Sequence, residues 1–163
     1  MFRFLGRFAF RGPRTPRERA LTALGRRDYR RAADELTGLL DDAQSEPPSP
    51  TERAFLLNKR GVAWMGLSDR ERARTDFAAA LECAGAYAPA LTNLGSLLFE
   101  DGDVDGAIAR YEDAVAADAD YAVAYHNLGV AYKRAGRVDD AVRAMRRAMR
   151  LEGRVVTRPR RNT

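Results

Sequence analysis

The chain has 163 residues, 45% of them hydrophobic and 31% charged, with a formal net charge of +5. That length holds about one domain and leaves no room for a two-lobed enzyme, and the apolar share belongs to a folded chain rather than a disordered one. With aromatics at only 9% and alanine abundant, the core has to come from small and aliphatic side chains, which favours packed helices and excludes an all-β fold.

Single residues exclude more. Cys83 is the only cysteine and His126 the only histidine, so there is neither an internal disulfide nor the roughly four ligands of a structural zinc site. No cofactor is expected. A reducing compartment fits the cysteine count, and no run of about 20 apolar residues could cross a bilayer; the expectation is a cytoplasmic protein. Only Lys59 and Lys133 stand beside 26 arginines, a bias of GC-rich coding that suggests a bacterial source. Charge is segregated along the chain: residues 1–31 carry +8, 32–81 carry −3, 82–120 carry −8 and 121–163 carry +8.

Residues 1–15 read as a basic, disordered tail. Two alternatives stay open for it. Arg3, Arg7 and Arg11 fall on one helical stripe and Met1, Phe4, Leu5 and Phe8 on another, as in a basic amphipathic helix lying on an anionic membrane; an arginine-rich, acid-poor presequence has the same composition. Residues 16–44 then predict a helical hairpin, with Arg17–Leu24 as its first helix and a second that begins near Asp28 and carries Ala32, Leu36 and Leu39. Ser45-Glu46-Pro47-Pro48-Ser49-Pro50 marks a proline-rich loop over 45–53.

Beyond it the chain repeats itself. Gly61, Gly95 and Gly129 are 34 residues apart, as are Ala73, Ala107 and Ala141, and Ala80, Ala114 and Ala148. Larger residues keep the same register: Leu57, Leu91 and Tyr125; Trp64, Leu98 and Tyr132; Phe77, Tyr111 and Met145. A fixed period of this size signals stacked units, here 54–87, 88–121 and 122–155. Apolar positions three and four apart make each unit two short helices, joined by turns such as Ala135-Gly136-Arg137, where Gly136 can adopt the left-handed conformation that ends a helix. The small residues at 61, 95 and 129, and at 73, 107 and 141, are expected to let two backbones approach closely. In Glu100-Asp101-Gly102-Asp103-Val104-Asp105 the alternating carboxylates hint at calcium, but the run is too short for an EF-hand loop. Helix capping by Asp103 explains it better.

Tyr125-His126-Asn127-Leu128-Gly129 with Tyr132, Ala141, Met145 and Ala148, and Leu91-Thr92-Asn93-Leu94-Gly95 with Leu98, Ala107, Tyr111 and Ala114, resemble the tetratricopeptide-repeat pattern. The unit from Ala54 departs from it at Arg60, where leucine is usual, and Gly85, Ala119 and Gly153 stand where the family often has proline. Residues 16–44 resemble a degenerate additional unit, offset by 41 residues between Ala32 and Ala73. The resemblance implies an all-α, right-handed α-solenoid of helix-turn-helix repeats and a non-catalytic adaptor that binds a peptide or protein segment in a concave groove lined by the first helices.

Carried over by register, the groove residues are Asn58, Lys59, Asn93, Ser96, His126, Asn127, Lys133 and Arg134, beside Phe55, Val62, Met65, Thr92, Phe99, Glu100, Val123 and Val130. Some family members clamp a chaperone's C-terminal carboxylate with lysine and asparagine at such places. Asn58 and Asn127 suit that role while Thr92 and Ser96 do not, so no chaperone is named as ligand. No nucleophile or base is spaced in sequence to act with His126, and Cys83 reads as a small packed hydrophobe. Val142, Met145 and Met149 on the last helix are expected to be partly uncovered, which predicts self-association or partner docking there. Rival readings are an accessory subunit docked at a membrane by the first residues and a nucleic-acid-associated protein using both arginine-rich ends. The second is disfavoured, because the aromatics are mostly committed to repeat packing and there is no basic, aromatic-studded sheet on which bases could stack.

Overall fold

The computed structural model describes residues 15–42 and 47–156, and these form helices joined by short turns. In chain order they are α1 (Pro16–Gly25), α2 (Tyr29–Asp41), α3 (Pro50–Gly66), α4 (Arg70–Ala84), α5 (Ala88–Glu100), α6 (Val104–Ala117), α7 (Ala122–Arg134) and α8 (Val138–Val156). Consecutive helices pair as antiparallel hairpins, and each hairpin packs on the next to give an α-solenoid. The basic N-terminal segment 1–14 and the tail 157–163 lie outside the described residues.

Helix starts follow from local capping chemistry. Thr15 and Glu18 form a reciprocal capping box, each side chain 3.1 Å from the other's backbone N–H, with Pro16 in the first turn. Asp28, Asp69 and Asp103 each accept from a backbone N–H three residues on, at 3.3, 3.0 and 2.9 Å, satisfying donors that the first turn leaves orphaned. The expected capping role of Asp103 is therefore present. α3 begins at Pro50, inside the segment read as loop. Ser49 accepts from the N–H of Glu52 at 3.2 Å and Pro50 occupies the first turn, so Ser-Pro-Thr-Glu is a helix start rather than loop.

Within every hairpin the turn has one geometry. Arg27, Ser68, Gly102 and Gly136 have positive φ of 60°, 62°, 89° and 76°. The next residue returns its N–H to a carbonyl five back: Asp28 to Ala23, Asp69 to Trp64, Asp103 to Leu98 and Arg137 to Tyr132, at 2.9 to 3.0 Å. This is the six-to-one closure of a helix C-terminus. Arg27 and Ser68 adopt it at a steric cost that glycine avoids.

The alanine columns are buried, Ala73, Ala80, Ala107 and Ala114 completely. The glycine column meets the expectation only in part. An added Cβ on Gly61 would lie 2.5 Å from the Phe77 ring, on Gly95 2.7 Å from the Tyr111 ring and on Gly129 2.7 Å from Met145 Cγ. What these glycines admit first is the large side chain 16 residues later; at Gly129 the α8 backbone also comes close to the added Cβ, Ala141 O at 3.3 Å and Met145 N at 3.4 Å.

At Arg60 the first regular unit departs from the others, and the departure is built. Arg60 donates to both oxygens of Asp76, Nε at 2.8 Å and Nη2 at 2.7 Å, and its Nη1 reaches Thr37 Oγ1 on α2 at 3.3 Å. The α1–α2 hairpin is tied on further by Arg17 to Glu52 at 3.2 Å and by the Tyr29 ring lying over Gly66.

Candidate functional site

The sequence places its site residues on the first helices α3, α5 and α7, and the structure shows two different environments among them. Asn58 is buried, and its Oδ1 accepts from Asn93 Nδ2 at 2.9 Å, bridging α3 to α5. Ser96 lies between α5 and α7. Its hydroxyl donates to the Thr92 carbonyl at 3.0 Å and accepts from the Tyr111 hydroxyl at 3.2 Å and from Asn127 Nδ2 at 3.4 Å. One donor and two acceptor sites are all that a serine hydroxyl has. Thr92 turns inward and donates to the Ala88 carbonyl at 2.8 Å. Asn58, Asn93, Ser96 and Asn127 thus stitch three helices together.

The remaining members lie toward the surface. His126, Lys133 and Arg134 are exposed and Lys59 is half-buried. On α7 the stripe Val123, His126, Val130 and Lys133 follows three- and four-residue steps that share a helix face, and both valines are exposed. Lys59 Nζ is 5.3 Å from the centre of the Phe55 ring, which Arg17 covers at 4.7 Å, and the Arg134 guanidinium is 5.3 Å from the centre of the Phe99 ring. These cation–aromatic pairs leave the charges at the surface while the rings supply apolar area.

Sequence reasoning missed the partners that organise this face. Tyr111 stands in the register of Phe77, and its additional hydroxyl needs a partner when buried; Ser96 supplies it. Burial pushes the Tyr111 phenol up from its ordinary value, and the Ser96 bond partly offsets the rise. For Tyr132, burial first and the bond from its hydroxyl to Glu112 Oε1 at 2.6 Å second push the phenol up to about 12. The acidic run 100–105 is occupied by structure: Arg70 pairs with Glu100 and, at 2.6 Å, with Asp101, and also donates to the Leu97 carbonyl at 3.0 Å. Among the described residues no group of three or more His, Cys, Asp and Glu could hold a metal ion, and no helix is long and apolar enough to cross a membrane. Cys83 is half-buried against the core of the first units.

At the far end, α8 exposes Val138, Val142 and Met149, while Met145 is half-buried. Their registers are those of Val104, Ile108, Val115 and Tyr111 on α6, which belong to the cluster completed by Leu128, Ala131 and Tyr132 of α7.

Comparisons with known proteins agree with this geometry. A family model described as TPR repeat matches residues 95–136, and one described as tetratricopeptide repeat matches residues 122–154. Among solved structures, MamA is 22% identical with a TM-score of 0.66, covering 90% of this chain and 83% of that one. BtubC (BKLC) from P. vanneervenii is 26% identical with a TM-score of 0.66, covering 91% of this chain and 68% of that one. The second TPR of Spaghetti (RPAP3) bound to HSP90 peptide SRMEEVD is 20% identical with a TM-score of 0.58, covering 62% of this chain and 94% of that one. A 34-residue register, hairpins closed by the same turn and family models matching residues 95–154 together support a tetratricopeptide-repeat protein.

Proposed function

We propose that the chain is a non-catalytic adaptor that takes an extended, acidic peptide or protein segment along the concave side formed by α3, α5 and α7. The observation that carries this reading is the α7 stripe, where exposed Val123 and Val130 alternate with His126 and Lys133 beside Arg134. Apolar steps bury side chains of an extended segment while the cations pair with its carboxylates. A solved neighbour of similar fold bound to HSP90 peptide SRMEEVD supports peptide binding as the reading.

The structure also selects the variants for a test. Asn93→Ala would strip the buried Asn58 of its donor and confound binding with stability, whereas Lys59, Lys133 and Arg134 hold charge toward the surface. On an array of ten-residue peptides graded in net charge, the wild type is expected to retain acidic sequences. Lys59→Glu/Lys133→Glu/Arg134→Glu should lose them by about tenfold or more at low salt. An unchanged profile would place the ligand elsewhere.

The uncovered stripe on α8 supports a second reading, self-association through that helix. Burying Val138, Val142 and Met149 between two copies would remove apolar surface from water. Light scattering across micromolar concentrations should then show a mass that rises with concentration and returns to the monomer in Met149→Glu. A constant monomeric mass for the wild type counts against it.

A further inference from the structure

Where two hairpins meet, the eleventh residue of the later unit points into the wedge between flanking second helices. At the first such seam this residue is Trp64, packed on the cluster of Ala23, Ala32 and Ala33. At the last seam it is Tyr132, buried and anchored on Glu112. At the middle seam the register holds Leu98, which is smaller, and the wedge stays open. A cleft of about 390 Å³ remains, lined by Arg74, Ala78 and Leu81 of α4, Leu94 and Leu98 of α5, and Arg110 of α6. It falls at the junction of the molecule's two main core clusters, one running from Ala20 to Leu97 and the other from Ala107 to Ala144.

The lining has a definite chemistry. Three leucines make an apolar floor, and two guanidinium groups flank it. Arg74 is held by Asp101 at 3.1 Å and Arg110 by Asp113 at 3.2 Å, with all four side chains more than a third exposed. Exposed pairs of this kind are weak and exchange readily for a better-placed carboxylate. Arg110 is also the only basic residue between 82 and 120, a stretch of net charge −8, so within that stretch it is the one side chain that can pair with an anion. The volume lies in the range of small-molecule sites, roughly 300 to 1,000 Å³. Leu94 and Leu98 lie on the opposite side of α5 from Asn93 and Ser96 by helical geometry, so the cleft is separate from the peptide face.

We propose that this cleft binds a small amphiphilic carboxylate, an aromatic or medium-chain acid. Its apolar body rests on Leu81, Leu94 and Leu98, and its carboxylate meets Arg74 and Arg110 at the mouth.

The test is a titration of the full chain, methyl-labelled, with 1-naphthaleneacetate and with its neutral amide. The acid should shift the methyl signals of Leu81, Leu94 and Leu98 saturably, with a dissociation constant on the order of 0.1 to 1 mM for a ligand of this size. The amide should bind about fivefold or more weakly, and Arg74→Gln/Arg110→Gln should bring the acid to the amide's level. Leu98→Trp, which plugs the wedge as Trp64 does in its own seam, should abolish the shifts at Leu81 and Leu94 while the melting temperature holds or rises. Ala78→Met, entering from the opposite wall, should do the same. Equal binding of acid and amide overturns the proposal. So do undiminished affinity in both filled variants, an absence of saturable shifts up to about 10 mM, and shifts centred on Val142 and Met149 instead.

Discussion

Replacing Arg60 with leucine, the residue its register usually carries, is expected to destabilise the protein by about 3 to 5 kcal/mol. The Asp76 side chain is only 5% exposed and takes both of its short bonds from Arg60. Without the guanidinium, a carboxylate is left inside the α3–α4 hairpin with no cation, and water cannot reach it well enough to compensate. Against a typical total of about 5 to 15 kcal/mol, this unfolds a large part of the population at modest urea. The double variant Arg60→Leu/Asp76→Ala should return to within about 1 kcal/mol of the wild type. The unit 122–155 already runs on that pair, Leu128 and Ala144, both buried. Urea unfolding of the two variants decides the matter: a double no more stable than the single would show that the ion pair is not what the leucine disrupts.

Gly61→Ala should cost about 2 to 3 kcal/mol, the reverse of the ordinary gain of about 1 kcal/mol when alanine replaces glycine inside a helix. The added methyl would sit 2.5 Å from a ring carbon of Phe77, and that ring is fully buried, so it has nowhere to retreat. Gly38 supplies the internal control. It lies inside α2 with nothing within 4 Å of its virtual Cβ, and Gly38→Ala should stabilise by about 0.5 to 1 kcal/mol. Thermal or chemical unfolding of the pair tests the packing argument directly. Equal effects at both positions would mean that propensity, not the Phe77 contact, governs Gly61.

The periodic columns carried most of the architecture in advance. Glycine at 61, 95 and 129 and alanine at 73, 107 and 141 recur because each unit needs the same close contacts, and a contact required three times leaves a register in the sequence. Features that occur once leave none. The Arg60–Asp76 pair is visible only as two departures 16 residues apart, and nothing in spacing says that one answers the other. The middle-seam cleft is likewise a departure, Leu98 where Trp64 and Tyr132 are large, whose meaning needs the neighbouring helices in place. On the α3–α5–α7 face, sequence named the polar residues but could not sort them: amides at consecutive units look equally available until hydrogen bonds show that Asn58 and Ser96 are occupied by their neighbours.

Val138, Val142 and Met149 repeat on α8 the surface that α7 covers on α6. The last helix is therefore shaped as an acceptor for another hairpin of the same length. A gene duplication that inserted one more copy behind it would find its seat already present, with no new contact chemistry to evolve. Architecture of this kind lengthens by copying.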